Sequence, residues 1–227
     1  MDWQALTLSV KLAVVTLLVL LLPSLVVARW LARSTWRHKA WLEAAMLMPL
    51  VLPPTVLGYY LLVGMGGSSW VGQWLQARWG LSLTFNFLGL VLASVVFNIP
   101  FMVQPMLRAC EAIPQVLREA GLVNGLRPIE IFWRIELPLI WPGVLSALVI
   151  TFVHTLGEFG VVLMVGGNIP GETKTIAIAI YDRVQAFDLT GAHLMSLTLV
   201  LISMLAVAAS LLASRRLASA TRTGAPA

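Results

Sequence analysis

Apolar residues along this chain gather into five long blocks, about Leu6–Ala28, Trp41–Gly64, Phe85–Leu107, Trp141–Val165 and Ala192–Ala213. Several windows within them exceed about 18 nearly uncharged residues, enough for a helix to cross roughly 30 Å of hydrocarbon. The pattern predicts an all-α polytopic membrane protein with five spans. A sixth arises only if the first block splits or Trp70–Trp79 re-enters the bilayer. One long polar break lies between the third and fourth blocks, reading E-A-G-L-V-N-G-L-R-P-I-E-I-F-W-R-I-E-L-P from Glu119 to Pro138. Pro114 can open a short helix there, because its missing N–H is not needed in a first turn. Asn124-Gly125 supplies a turn that tolerates left-handed backbone. Pro128 then opens a second helix, with Glu130 and Arg134 spaced to pair at i,i+4 and Ile129, Phe132 and Trp133 as an apolar stripe. Leu137-Pro138 is expected to end that helix before the fourth span. The product is a helix–turn–helix offering a polar-rimmed apolar surface to a soluble partner. A helix lying flat on the membrane would leave Gly121 and Gly125 unexplained, since Ala would serve it better.

Composition agrees with the blocks. The chain is 59% hydrophobic and only 11% charged, where a soluble domain carries about a quarter charged residues. Its formal charge of +5 does not point to nucleic acid, because the basic residues flank apolar spans and orient them instead. Arg29, Arg33, Arg37 and Lys39 follow the first block, Arg108, Arg118, Arg127 and Arg134 the third, and Arg215, Arg216 and Arg222 the fifth. The alternate connectors hold only Arg78, Lys174 and Arg183. The Arg-rich side is therefore expected to be cytoplasmic, with the C-terminus inside and the N-terminus outside. The N-terminus reads as the first span rather than a cleaved signal: Met1–Leu6 lacks Lys and Arg, and no small-x-small site closes the apolar run. A single cysteine, Cys110, excludes an intrachain disulfide and a cysteine metal cluster. Tryptophans 30, 36, 41, 70, 74, 79, 133 and 141 fall near block ends, as an interfacial aromatic belt does.

Two features inside the apolar blocks are candidate pathway elements. Pro49, Pro53 and Pro54 interrupt the second block, and backbone carbonyls freed there must be met by neighbours or a water-lined cavity. Glu158 is the only formal charge between Glu136 and Glu172, and an acidic group at membrane depth marks an interior partner or a pathway. Thr151, Thr155 and Gly157 accompany it, with Ser146 and Asn98 as further polar groups, each equally able to serve helix packing. No G-x-x-x-x-G-K-[ST] phosphate loop occurs, so ATP hydrolysis of that kind requires another chain. A membrane enzyme built on Ser146, His154 and His193 lacks a G-x-S-x-G elbow, and a passive channel lacks a filter motif or an acidic ring.

At E-A-G, with L-P about sixteen residues later, the chain resembles the cytoplasmic loop of ABC importer permeases. Glu119, Ala120, Gly121 and Pro138 match that loop residue by residue, and Gly125 fits its second small position. The resemblance implies a type I importer permease whose coupling helix docks on an ATPase subunit through Glu119, Ala120, Gly121, Leu122, Gly125, Pro128, Phe132, Leu137 and Pro138. The words L-G-E-F-G (156–160), G-N-I-P-G-E-T-K-T-I (167–176) and L-P-P-T-V-L-G-Y-Y-L-L (52–62) resemble most closely the molybdate permeases of that superfamily. Tungstate and sulfate permeases share part of this vocabulary and remain the alternatives.

What the resemblance implies is a non-catalytic subunit in a bacterial inner membrane, forming one permease domain over residues 1–227. It would have a coupling segment at 108–140, an exterior loop at 166–190 and a disordered basic tail at 214–227. Its implied partners are a second copy of the chain, two ATPase subunits that bring ATP and Mg, a soluble molybdate-binding protein and the lipid bilayer. The chain itself would hold no cofactor. Gly167, Asn168, Ile169, Pro170, Gly171, Glu172, Thr173 and Lys174 would meet the binding protein.

Overall fold

The computed structural model describes residues 1–223, with side chains through Ser214. Helix α1 (Trp3–Arg33) starts where Asp2 accepts a hydrogen bond from the Ala5 N–H at 3.0 Å. The next apolar block folds as two helices, α2 (Lys39–Val51) and α3 (Pro54–Met65), bent by 106° at Leu52-Pro53. Proline cannot donate the helical bond there and its ring crowds the preceding turn. α4 (Trp70–Trp79) is short, and α5 (Phe87–Glu111) is capped by Asn86, which accepts from the Gly89 N–H at 2.8 Å.

α5 is the centre of the bundle. α1 runs parallel to it and α8 (Leu137–Gly157) antiparallel, and the three bury Leu20, Ala28, Leu31, Met102, Met106, Leu107, Ile140, Val144 and Ala147 together. Lipid is as apolar as these side chains, so close backbone approach does much of the holding. A Cβ on Gly143 would come within 2.4 Å of the Ala109 Cβ, which is how near α8 lies to α5.

These pairings fix the levels of the remaining parts. Lys39, at the start of α2, pairs with Glu111 at the end of α5 (3.1 Å), while Leu57 of α3 packs at the level of Ala93, Phe97, Val161 and Val165. The bent pair thus climbs from one end of α5 towards the other and counts as a broken span. With α1, α5, α8 and α11 (Leu189–Thr223) it makes five crossings. α1 is unbroken and α4, at ten residues, rises only about 15 Å, so neither condition for a sixth span is met.

Three expectations are corrected. The apolar block 141–165 is not one helix: α8 ends at Gly157, and α9 (Gly160–Gly166) begins after a break at Glu158-Phe159. The second cytoplasmic-loop helix does not stop at Leu137-Pro138. The backbone from Pro128 to Gly157 is continuous through one π-helical turn, Phe132–Glu136. That turn lies directly before Pro138 and shifts the carbonyls with which the proline ring would collide. The disordered tail expected from 214 is instead helical backbone as far as Thr223, and residues 224–227 lie outside the described residues.

Candidate functional site: the coupling segment and a buried polar cavity

Between α5 and α8, α6 (Gln115–Val123) turns through Asn124-Gly125 into α7 (Pro128–Ile131). Gly125 has φ +79° and Asn124 Nδ2 donates to the Ala120 carbonyl at 2.7 Å, so the turn is the one the sequence called for. Gly121 is buried because α6 lies against the turns that follow. A Cβ there would stand 3.0 Å from Ile135 Cδ1 and 3.1 Å from Ile131 Cγ1. The expected Glu130–Arg134 pair is replaced by a cap: Glu130 accepts from the Arg127 N–H at 2.8 Å and is held back over the helix start.

Of the docking candidates, Glu119, Ala120, Leu122, Gly125, Pro128 and Pro138 are exposed, while Leu137 sinks towards the core. Phe132 also turns inward, its ring 4.8 Å beneath the Arg29 guanidinium. Ile129 and Trp133 of the expected stripe are exposed. Sequence reasoning missed Val116 and Val123, which are 70% and 88% exposed. They stand at i and i+7 with Glu119 and Ala120 between them, a single helical face visible in the spacing alone.

Beneath this face sits Glu136, 1% exposed, at the end of the π turn. Its Oε2 accepts from Arg29 Nε at 2.8 Å, its Oε1 lies 3.0 Å from Arg118 Nε, and Arg33 pairs with the same Oε1. Three guanidiniums from α1 and α6 converge on one carboxylate from the head of α8. The sequence reading used these arginines only to orient the spans, because nothing local links positions 29, 33, 118 and 136.

At the far end of α8, a cavity of about 530 Å³ opens at the break, lined by Pro54, Phe97, His154, Gly157, Glu158 and Gly160 among others. His154 Nδ1 is 3.0 Å from Asn98 Oδ1, and its ring stacks on Phe101 at 3.8 Å between centroids. Neither Glu158 carboxylate oxygen has a hydrogen-bond partner among the described residues, although Ser94 stands alongside. Pro54, Gly157 and Glu158 line this cavity together, while Pro53 stands at the N-cap of α3 outside the lining. Thr151 and Thr155 are buried in packing instead, with the Thr155 hydroxyl donating to the Thr151 carbonyl at 2.7 Å. His154 was the missed member, and its i,i+4 relation to Glu158 was the available signal. Ser146 lies eight residues, about 12 Å, from His154 along α8, so these two side chains are not in contact.

The loop after α9 is a tight, hydrogen-bonded structure leading to α10 (Ile176–Gln185). Gly167 and Gly171 take φ +68° and +80°, and the buried Thr173 Oγ1 accepts from the Ile169 N–H at 3.1 Å. Asn168 Nδ2 donates to Asp182 at 3.0 Å, and Lys174 pairs with the same carboxylate at 2.6 Å. Partial burial pushes the Asp182 carboxyl up, but the hydrogen bonds from Lys174 and Asn168 outweigh it and hold it below its ordinary value. Ser9 Oγ accepts from the Ile176 N–H, tying α10 to the start of α1. Asn168, Ile169, Pro170, Gly171 and Glu172 are exposed; Lys174 is partly covered and Thr173 is inside.

The family described as binding-protein-dependent transport system inner membrane component matches residues 24–223. The molybdenum transport system permease protein ModB of Azotobacter vinelandii is 44% identical over 215 residues, 95% of each chain. Its namesake in Escherichia coli K12 is 37% identical over 221 residues, covering 97% of this chain and 95% of that one. Among solved structures, a bacterial ABC transporter involved in the import of the acidic polysaccharide alginate superposes with TM-score 0.77 at 17% identity. That match covers 94% of this chain and 78% of the other.

Proposed function

Because the chain belongs to the family of binding-protein-dependent transport system inner membrane components and is a multi-pass permease subunit of an ABC importer, we propose that its cargo is molybdate, taken from a soluble binding protein and released into the cytoplasm. A second copy completes the pathway. Two ATPase subunits dock on the exposed face of α6 around Glu119 and drive alternating access. The Arg-rich side is cytoplasmic, and the loop 167–174 receives the binding protein.

The observation that carries this reading is the unbroken backbone from the docking segment to the cavity. α7, the π turn and α8 run without a linker from Pro128 to Gly157, and α6 is packed onto the start of that rod through Gly121. Force applied to α6 travels along α8 to the break at Glu158-Phe159, where α8 and α9 can change their mutual angle beside the cavity. The Glu136 cluster carries the same displacement into α1. No Lys or Arg lines the cavity among the described residues, and the acidic Glu158 offers a dianion no attraction, so a passing dianion finds no cationic trap there. Such weak contacts suit a conduit and leave selection to the binding protein.

Uptake of radiolabelled molybdate in cells with and without the chain tests the proposal. Chain-dependent uptake blocked by excess tungstate and spared by sulfate is the expected result. Equal competition by sulfate would make the chain a sulfate permease, and uptake independent of the chain would remove the oxyanion assignment.

A further inference from the structure

On the outer side of α1 a groove of about 990 Å³ runs from Leu22 to the coupling segment. Its wall along α1 is Leu22, Leu25 and Val26, and the first and last of these are 68% and 66% exposed inside a membrane-spanning helix. Trp30, Trp36 and Trp133 stand at its upper rim, all exposed, where an interfacial belt would lie. Arg29 and Arg33 close that end, and no Asp or Glu lines the groove among the described residues.

Length and charge together select an occupant. From Leu22 to Arg33 the helix rises roughly 16 Å, about the hydrocarbon depth of one leaflet. The arginines therefore stand at headgroup height above an apolar track of acyl-chain length. Glu136 is the single carboxylate shared by Arg29, Arg33 and Arg118, so two positive charges of this cluster are uncompensated by it. Arg29 and Arg33 keep about a third of their side-chain surface open. A soluble peptide cannot reach a track that faces hydrocarbon, and a zwitterionic lipid supplies no net charge to match the cluster. We propose that this groove holds an anionic phospholipid of the leaflet bordering the coupling segment, with its phosphate on Arg29 and Arg33 and one acyl chain along Leu22 and Val26.

The test uses the full chain in complex with its ATPase subunits, reconstituted in nanodiscs of equal phosphatidylglycerol and phosphatidylcholine. Lipids retained after release into detergent are then read by native mass spectrometry. Phosphatidylglycerol should be retained in preference. Arg33→Gln should lower that preference about fivefold, the factor corresponding to roughly 1 kcal/mol per basic side chain at an anionic surface. Val26→Trp fills the acyl track without touching the charge cluster, and should abolish retention of either lipid. It carries the test alone should Arg33→Gln fail to assemble. Equal retention of the two lipids, or retention unaffected by Val26→Trp, overturns the proposal. So does disulfide cross-linking of Val26→Cys to a second copy, which would show the groove covered by protein.

Discussion

Arg29 Nε lies 2.8 Å from Glu136 Oε2, a bond that closes 107 residues of chain. It joins the end of the first span to the head of α8, with Arg33 and Arg118 on the same carboxylate. Replacing Glu136 with Gln leaves three guanidiniums facing one another around a neutral amide. The expected loss is about 2 kcal/mol, below the roughly 3–5 for a wholly buried pair, because the arginines are partly in solvent. The thermal midpoint of the purified complex measures it, and an unchanged midpoint would mean the cluster is screened.

Gly121→Ala should be nearly neutral. The flexible ends of Ile131 and Ile135 can yield the few tenths of an ångström required, and Ala recovers about 1 kcal/mol of helix propensity. Gly121→Arg cannot be accommodated there and should splay α6 away, lowering ATPase co-purification by about tenfold, a change of roughly 1.4 kcal/mol. Intact ATPase association in that variant would refute the docking assignment.

Gly58→Ala meets a different obstacle. Its Cβ would stand 2.8 Å from Met164 Cβ and 3.1 Å from Val161 Cα, atoms close to or in the backbone that cannot swing aside. Overpacking of about 1–3 kcal/mol is expected, seen as a lower thermal midpoint and a looser α3 in cysteine-accessibility assays.

His154→Ala removes the partner of Asn98 Oδ1 and a ring stacked on Phe101. About 2 kcal/mol of stability should be lost. His154→Gln, able to reach Asn98, should recover part of it. Equal midpoints for the two variants would show that the hydrogen bond contributes nothing.

Asp182 sets the acid limit of the exterior loop. Its folded carboxyl sits below the ordinary value, so its contribution is complete above about pH 4 and fades only as pH falls through the lower folded value. Amide hydrogen exchange over 168–175 should be unaffected by this group between about pH 8 and 5 and quicken below about pH 4. In Asp182→Asn the loop should exchange faster than the wild type above about pH 4, with the difference closing at lower pH, because there Lys174 of the wild type has already lost its charged partner.

Hydropathy located the spans because lipid demands long uncharged helices, and Asn124-Gly125 announced its turn because few other pairs accept that backbone. What hydropathy could not see was where apolar helices stop. Leu52-Pro53-Pro54 signalled a kink, but the 106° angle is set by α3 packing on α9 through Gly58. L-G-E-F-G was legible as unusual, while its role as a helix break depends on the cavity around it. Glu136 stood in plain view beside Leu137-Pro138, yet its partners come from two other helices, and no spacing rule joins them. Val116 and Val123 are only two apolar positions on a nine-residue helix, a weaker signal than the stripe of the second helix, part of which turned inward.

The thirty residues from Pro128 to Gly157 form one helix in effect, and this gives the segment a phase. Each residue added or removed would turn the head of the rod by about 100° relative to its foot. α6 would then point away from its present direction, and Glu136 would leave its three arginines. Loops elsewhere can absorb an extra residue by bulging into water. This stretch has a fixed length as well as a fixed composition, and the angular bearing of its exposed face is counted out residue by residue from the break at Glu158.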